Sequence, residues 1–248
     1  MLNGPIMPNR FSENIRGAVF SVKQQASLKK RKSSPGRLAH AGSTGFGARL
    51  RAARERAGVT LRGLARKLDV SPSLISQIER GNVMPSVGTL YLIANELDLM
   101  LDDLFREESP AGRRNGARVL DARAGAGLVR QRGKRESIRL AAGVRWERLA
   151  ALPDDEVEFL YVVYDPGGAS CERDALVRHG GKEYAYMISG RLGLKIGFDQ
   201  YELKAGDSIS FDAQRPHRLW AIGKKPAVAI WVVVNRHGDS RVRRASRK

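Results

Sequence analysis

Residues 60–81 read TLRGLARKLDVSPSLISQIERG, and this stretch decides the first half of the fold. Leu61, Leu64, Ala65 and Leu68 recur at i, i+3, i+4 and i+7, a single apolar stripe along a short helix. Thr60 precedes the stripe as its N-cap. Asp69 stands where the chain must turn sharply, in a slot that suits a left-handed conformation, which Asp tolerates better than most non-glycine residues. Ser71 then caps a second helix, with Pro72 at its first position, where the missing N–H costs nothing. Along that helix Leu74, Ile75 and Ile78 face inward and Ser73, Ser76, Gln77 and Arg80 face outward. Gly81 is placed to end it.

Working outward, a first helix is expected over residues 46–56, stopping at the Ala57–Gly58 break. Residues 82–85 form a loop, and Ser86 caps a fourth helix with apolar positions Leu90, Ile93, Ala94 and Leu97. Leu101, Leu104 and Phe105 belong to a short fifth helix. This order, from Phe46 to about Phe105, resembles the helix-turn-helix of the phage-repressor (Xre/Cro) family. Ala65 occupies the position where a small residue lets two helices cross closely. Asp69 stands where the family usually has glycine. Arg54 and Glu79 match a family ion pair that ties the first helix to the end of the recognition helix.

That resemblance implies a double-stranded DNA operator as partner, with the second helix of the motif in the major groove. Ser73 and Gln77 lie one turn apart on its outer face, and Gln reads adenine through a bidentate contact. Ser71, Ser76 and Arg80 suit phosphates. Pro72 completes the candidate DNA-binding set.

Residues 107–116 (EESPAGRRNG) have the composition of a linker, and after them the period of the pattern changes. Short runs rich in Val, Ile, Tyr and Trp alternate with glycine-containing turns. They fall at 117–120, 128–130, 138–140, 146–149, 158–164, 183–188, 192–196, 199–203, 208–211, 217–221 and 228–234. Many short strands without a long helix imply a β-sandwich or barrel.

Residues 179–221 then resemble the two motifs of the cupin family. His179, Glu183 and Gly190 fall in register with the first motif, while Val177 stands where its first histidine belongs. The second motif runs from Gly206-Asp207 to Pro216-His217, with Asp212, Gln214 and Ala221 replacing its usual Pro, Gly and Asn. The expected class is therefore multi-domain α + β. A five-helix repressor-like domain (45–106) precedes a double-sheet β-barrel (117–235), between basic tails at 1–44 and 236–248.

The cupin resemblance implies a ligand or metal pocket at His179, Glu183 and His217. Two histidines and one carboxylate can hold a divalent metal such as Fe, Zn or Mn with open coordination positions. No cofactor is demanded by these residues. Three readings stay open: a sensory pocket without metal, one with metal, and a metal-dependent oxygenase.

The net charge of +18 sits mostly outside these two patterns. Residues 1–44 carry eight Lys/Arg against Glu13, and residues 235–248 carry six against Asp239. The repressor-like stretch 45–105 is nearly balanced, eight basic against seven acidic. Its affinity for DNA is thus expected to depend on charge placement and on a homodimer, with the tails adding non-specific attraction to phosphate. The single Cys171 excludes an internal disulfide and fits a cytoplasmic location. No apolar run is long enough to span a membrane, so no membrane role is expected. Gly45-Phe46-Gly47 lacks the third glycine and the strand context of a dinucleotide motif. The run 133–137 reads as a solvated turn, and Trp146, Trp220 and Trp231 as core. Arg178, Lys182, Arg215 and Arg218 flank the barrel motifs as rim charge.

The reading is a non-enzymatic transcriptional regulator whose barrel senses a small-molecule effector. The runner-up is a cupin oxygenase that keeps the helical domain for assembly. A nucleoid-type binder relying on its basic tails would leave the barrel without a role.

Overall fold

The computed structural model describes residues 43–105 and 128–236, so the 107–116 linker, the strand expected at 117–120 and most of both basic tails lie outside the described residues. Five helices come first: α1 (Ser43–Arg56), α2 (Leu61–Lys67), α3 (Pro72–Glu79), α4 (Val87–Glu96) and α5 (Leu101–Phe105). The caps are those the sequence names. The side chains of Thr60, Ser71 and Ser86 accept from the backbone N–H groups of Gly63, Leu74 and Thr89. Each satisfies one of the donors that a helix start leaves without an intrahelical partner. Asp69 is left-handed with φ 53°, and Gly81 with φ 71° ends α3. The first helix begins earlier than residue 46, at Ser43.

Leu50, Leu64, Ala65, Ile75, Ile78, Leu90 and Ile93 are fully buried and form the core of the helical part. Gly47 explains how closely α1 can approach α3. A Cβ there would lie 2.4 Å from the Ile78 carbonyl oxygen, so the contact admits no side chain.

Nine strands follow: β1 (Ser137–Leu140), β2 (Val144–Arg148), β3 (Val157–Tyr164), β4 (Lys182–Ser189), β5 (Arg191–Ile196), β6 (Asp199–Lys204), β7 (Ser208–Asp212), β8 (His217–Ala221) and β9 (Ala227–Val234). They build a six-stranded antiparallel sheet in the order β1-β2-β3-β9-β4-β7 and a three-stranded sheet in the order β6-β5-β8. The expected strand at 128–130 does not form; residues 132–134 make a single 3-10 turn ahead of β1. Isolated bridges pair Ala169 with Trp220 and Val177 with His217, extending the smaller sheet beyond its strands.

Alternation decides what enters the barrel. On β9 Ala227, Ala229, Trp231 and Val233 are buried, and their neighbours Val228, Ile230, Val232 and Val234 are half-buried. Across the sheet Leu160 and Ala185 flank Trp231 on the inner face, while Phe159 and Tyr184 flank Val232 on the outer one. Outward aromatic and aliphatic residues on a central strand are unusual for a face left to water.

The helical part and the barrel are packed against each other, which the linker-like composition of 107–116 did not foretell. The Gly88 N–H donates to the Ser170 carbonyl at 3.0 Å, and the Ala141 N–H to the Pro85 carbonyl at 2.9 Å. Arg148 reaches Asp102 of α5 at 3.0 Å. Arg236, buried at the end of β9, donates to the Leu99 carbonyl at 2.7 Å and to the Asn95 side chain at 3.0 Å.

Candidate functional site

The first candidate surface is α3. Ser71, Pro72, Ser73 and Arg80 are exposed, and Ser76 and Gln77 are half-buried. The fold therefore brings the six expected residues onto one side of one helix. The Ser71 hydroxyl accepts the Leu74 N–H at 3.1 Å, so its oxygen is committed to the cap. The Gln77 amide lies 3.4 Å from the Ser73 hydroxyl, holding the two together along the outer face. Arg80 bends back to the Ser76 carbonyl at 3.2 Å.

The helix is held rigidly from below. The Arg54 guanidinium grips Glu79 with both prongs, at 2.5 and 2.9 Å, and its third nitrogen donates to the Val59 carbonyl at 2.9 Å. Both side chains are buried, and the bond to Glu79 raises the Arg54 pKa against the opposing effect of burial. A planar, two-pronged pair fixes orientation as well as distance.

The second candidate lies inside the barrel. His179 precedes β4, Glu183 is on β4 and His217 opens β8; all three are buried. One ligand atom from each falls within 4.8 Å of the others. The His179 Nε2 is 2.7 Å from the Glu183 carboxylate, yet this buried nitrogen makes no hydrogen bond of acceptable geometry. The His217 Nε2 stands 3.6 Å from the same oxygen.

The opposite edges of both rings explain the arrangement. Nδ1 of His179 lies 2.9 Å from the Gly180 carbonyl, and Nδ1 of His217 lies 2.9 Å from the Arg215 carbonyl. A carbonyl can only accept, so each Nδ1 carries a proton, and each Nε2, facing Glu183, is the nitrogen that a cation between them would use. Burial pushes the His217 pKa below its ordinary value, only partly offset by Glu183. Two imidazole nitrogens and a carboxylate oxygen converging on one point are the donor set that a divalent cation takes. The carbonyls behind the rings are the outer partners that usually hold such histidines.

Trp231, expected as core, is buried and also belongs to the site. Its Nε1–H donates to Glu183 Oε2 at 3.1 Å, while Oε1 faces the two histidine Nε2 atoms. The only hint in the sequence was its place on an inward-facing strand position, which packing alone would also explain. Trp220 is half-buried and carries the Arg218 guanidinium over its ring at 5.1 Å. Arg178, Lys182 and Arg215 are exposed, as expected of rim charge.

Val177 occupies the place of the missing ligand and is bonded through its backbone to His217, with both N–H···O distances 2.8 Å. Its side chain lines the cavity with Trp146, Leu160, Val162 and Tyr164. That cavity is only about 20 Å³, room for one ion or one water and no more. The pocket expected to take a metabolite is thus too small for one as it stands. Part of its wall comes from the helical domain, through Val87 and Tyr91 of α4.

Comparison with known proteins agrees with both halves. Residues 46–106 match the model of a helix-turn-helix domain, and residues 160–233 match that of a cupin domain. The HTH-type transcriptional regulator PuuR of Escherichia coli (strain K12) is 26% identical over 171 residues, 69% of this chain and 84% of that protein. An uncharacterized HTH-type transcriptional regulator, YazB of Bacillus subtilis (strain 168), is 39% identical over 63 residues, 25% of this chain and 91% of its own length. The crystal structure of an HTH_3 family transcriptional regulator from Vibrio cholerae covers 77% of this chain and 96% of its own, at 20% identity and a TM-score of 0.52. The last likeness shows a shared fold.

Proposed function

We propose that this chain, a helix-turn-helix domain followed by a cupin domain, is a sequence-specific DNA-binding transcriptional regulator whose barrel site controls the helical domain. The observation that carries the reading is α3: its outer face is free, while the buried Arg54–Glu79 pair fixes its orientation. The regulator names of the relatives, one of which aligns over 69% of this chain, support it. In this reading α3 lies in the major groove, Gln77 and Ser73 meet base edges, and Ser71, Ser76 and Arg80 meet phosphates.

Gln77→Ala tests it. Binding to the cognate operator, selected from random duplexes, should weaken by about 1–3 kcal/mol with relaxed preference at one base pair. Unchanged affinity and unchanged preference would remove α3 as the reader.

The barrel site fits a divalent cation through His179, Glu183 and His217, with Trp231 steadying the carboxylate. A bound ion would supply a Lewis-acidic centre with open positions. The same convergence of two histidines and a carboxylate favours the metal-dependent oxygenase as second reading. Against it stands the cavity of about 20 Å³, which holds no organic substrate while α4 is in place. Cobalt(II) titration of wild type and His217→Ala checks the site, the variant being expected to lose the absorbance of bound metal.

Two recognition helices in one assembly would give a near-palindromic site. The outward apolar rows Phe159–Val232–Tyr184 and Tyr161–Ile230–Tyr186 fit a second copy of this chain, since a two-fold axis sets such a patch against itself.

A further inference from the structure

Tyr91 of α4 is fully enclosed by the barrel and its rim. Its ring stacks on the His179 imidazole, with centroids 4.0 Å apart and planes inclined by 21°. Trp146 lies against it at 5.7 Å, and the Arg236 guanidinium sits over its face at 5.8 Å. Its hydroxyl reaches Glu158 at 3.4 Å, and Arg236 binds the other oxygen of the same carboxylate. One helical turn earlier, Gly88 brings the α4 backbone against the rim. A Cβ there would lie 2.8 Å from Val177 Cγ2 and 3.4 Å from the Cys171 Cβ.

We propose that α4 is the lid of the barrel and Tyr91 its plug, so that a ligand larger than a single ion or water reaches His179, Glu183 and His217 only by displacing the DNA-binding domain. The cavity beneath the ring holds about 20 Å³, whereas small-molecule pockets usually run to about 300 Å³ or more. The missing volume has to come from the element that fills it. Tyr91 is the largest side chain that α4 contributes to the wall.

Lifting α4 moves the domain that carries α3, because Leu90, Ile93 and Ala94 on its other face belong to the helical core. Arg236 sets the cost of opening, since it ties Glu158 of the barrel to Asn95 and the Leu99 carbonyl just beyond α4. A metal ion at the triad leaves the lid shut and only stiffens the ring on which Tyr91 rests. An organic effector opens it, which gives the two classes of ligand opposite effects on the helical domain. This deepens the regulator reading and rests on its assignment of the barrel pocket.

Carbethoxylation of His179 and His217 by diethyl pyrocarbonate, followed by peptide mass spectrometry on the full-length protein, reports how often the pocket opens whether or not any ligand binds. Tyr91→Ala should speed modification of both histidines by roughly tenfold or more, because the closed state loses its plug. Tyr91→Phe keeps the ring and should stay within about twofold of wild type. Gly88→Cys combined with Val177→Ala places a second thiol beside Cys171, at a spacing near that of natural disulfides. When oxidised, this variant should slow modification by roughly tenfold, and dithiothreitol should reverse the effect.

An oxidised lock that reacts as fast as its reduced form would overturn the proposal. So would a Tyr91→Ala protein as slow as wild type. Failure of the regulator reading shows elsewhere, as an operator affinity indifferent to Gln77→Ala.

Discussion

Trp231 shows how one donor sets the chemistry of a pocket. It engages one oxygen of Glu183, while the other faces His179 and His217. Trp231→Phe keeps most of the apolar bulk and removes only that donor. Affinity for cobalt(II), measured against a chromophoric chelator, should fall about 10- to 100-fold with the melting temperature little changed. An unaltered affinity would show that the carboxylate needs no such support. At the other site Arg54 and Glu79 are both buried, so removing one leaves the other's charge without a partner. Glu79→Ala should cost about 3–5 kcal/mol in urea unfolding, and a second substitution, Arg54→Leu, should recover a large part. A single variant as stable as wild type would mean that water reaches the arginine.

Among the elements, α3 was the most legible, because its cap, its inward apolar positions and its terminal glycine each follow from local rules. Its contact with α1 follows from none of them. Gly47 looked like part of a discarded glycine motif; in the fold it is the point where α1 meets the carbonyls of Ile78 and Glu79. Gly47→Ala is favourable for an isolated helix, yet in this helix it should destabilise the domain by about 1–3 kcal/mol. Chemical denaturation gives the sign directly, and a stabilised variant would mean that the two helices part easily. Strand boundaries were read to within a few residues from β1 onward, since alternation marks each run. The strand expected at residues 128–130 does not form, because a run as short as Leu128-Val129-Arg130 carries no information about a pairing partner.

For the molecule as a whole, two-fold binding has a geometric consequence. Paired α3 helices would sit roughly 34 Å apart, one turn of DNA. Sedimentation of the protein at micromolar concentration should give a dimer, and Tyr186→Arg, which sets a charge in the outward apolar row, should give a monomer with weaker operator binding. A wild-type monomer, free and on DNA alike, would remove the dimer.

The sequence by itself determined the helical caps, the turn at Asp69, the alternation of the strands and the three residues that converge in the barrel. Each of these depends on neighbours along the chain or on a motif of fixed spacing. Only the tertiary structure decided that Tyr91 lies on His179, that Trp231 orients Glu183 and that the cavity is filled. These contacts join residues 88 and 48 positions apart, and period and composition say nothing about which surfaces meet at that distance. The linker composition of 107–116 pointed to two separate bodies, but packing is settled by the shape and polarity of facing surfaces, and here α4 fits the mouth of the barrel.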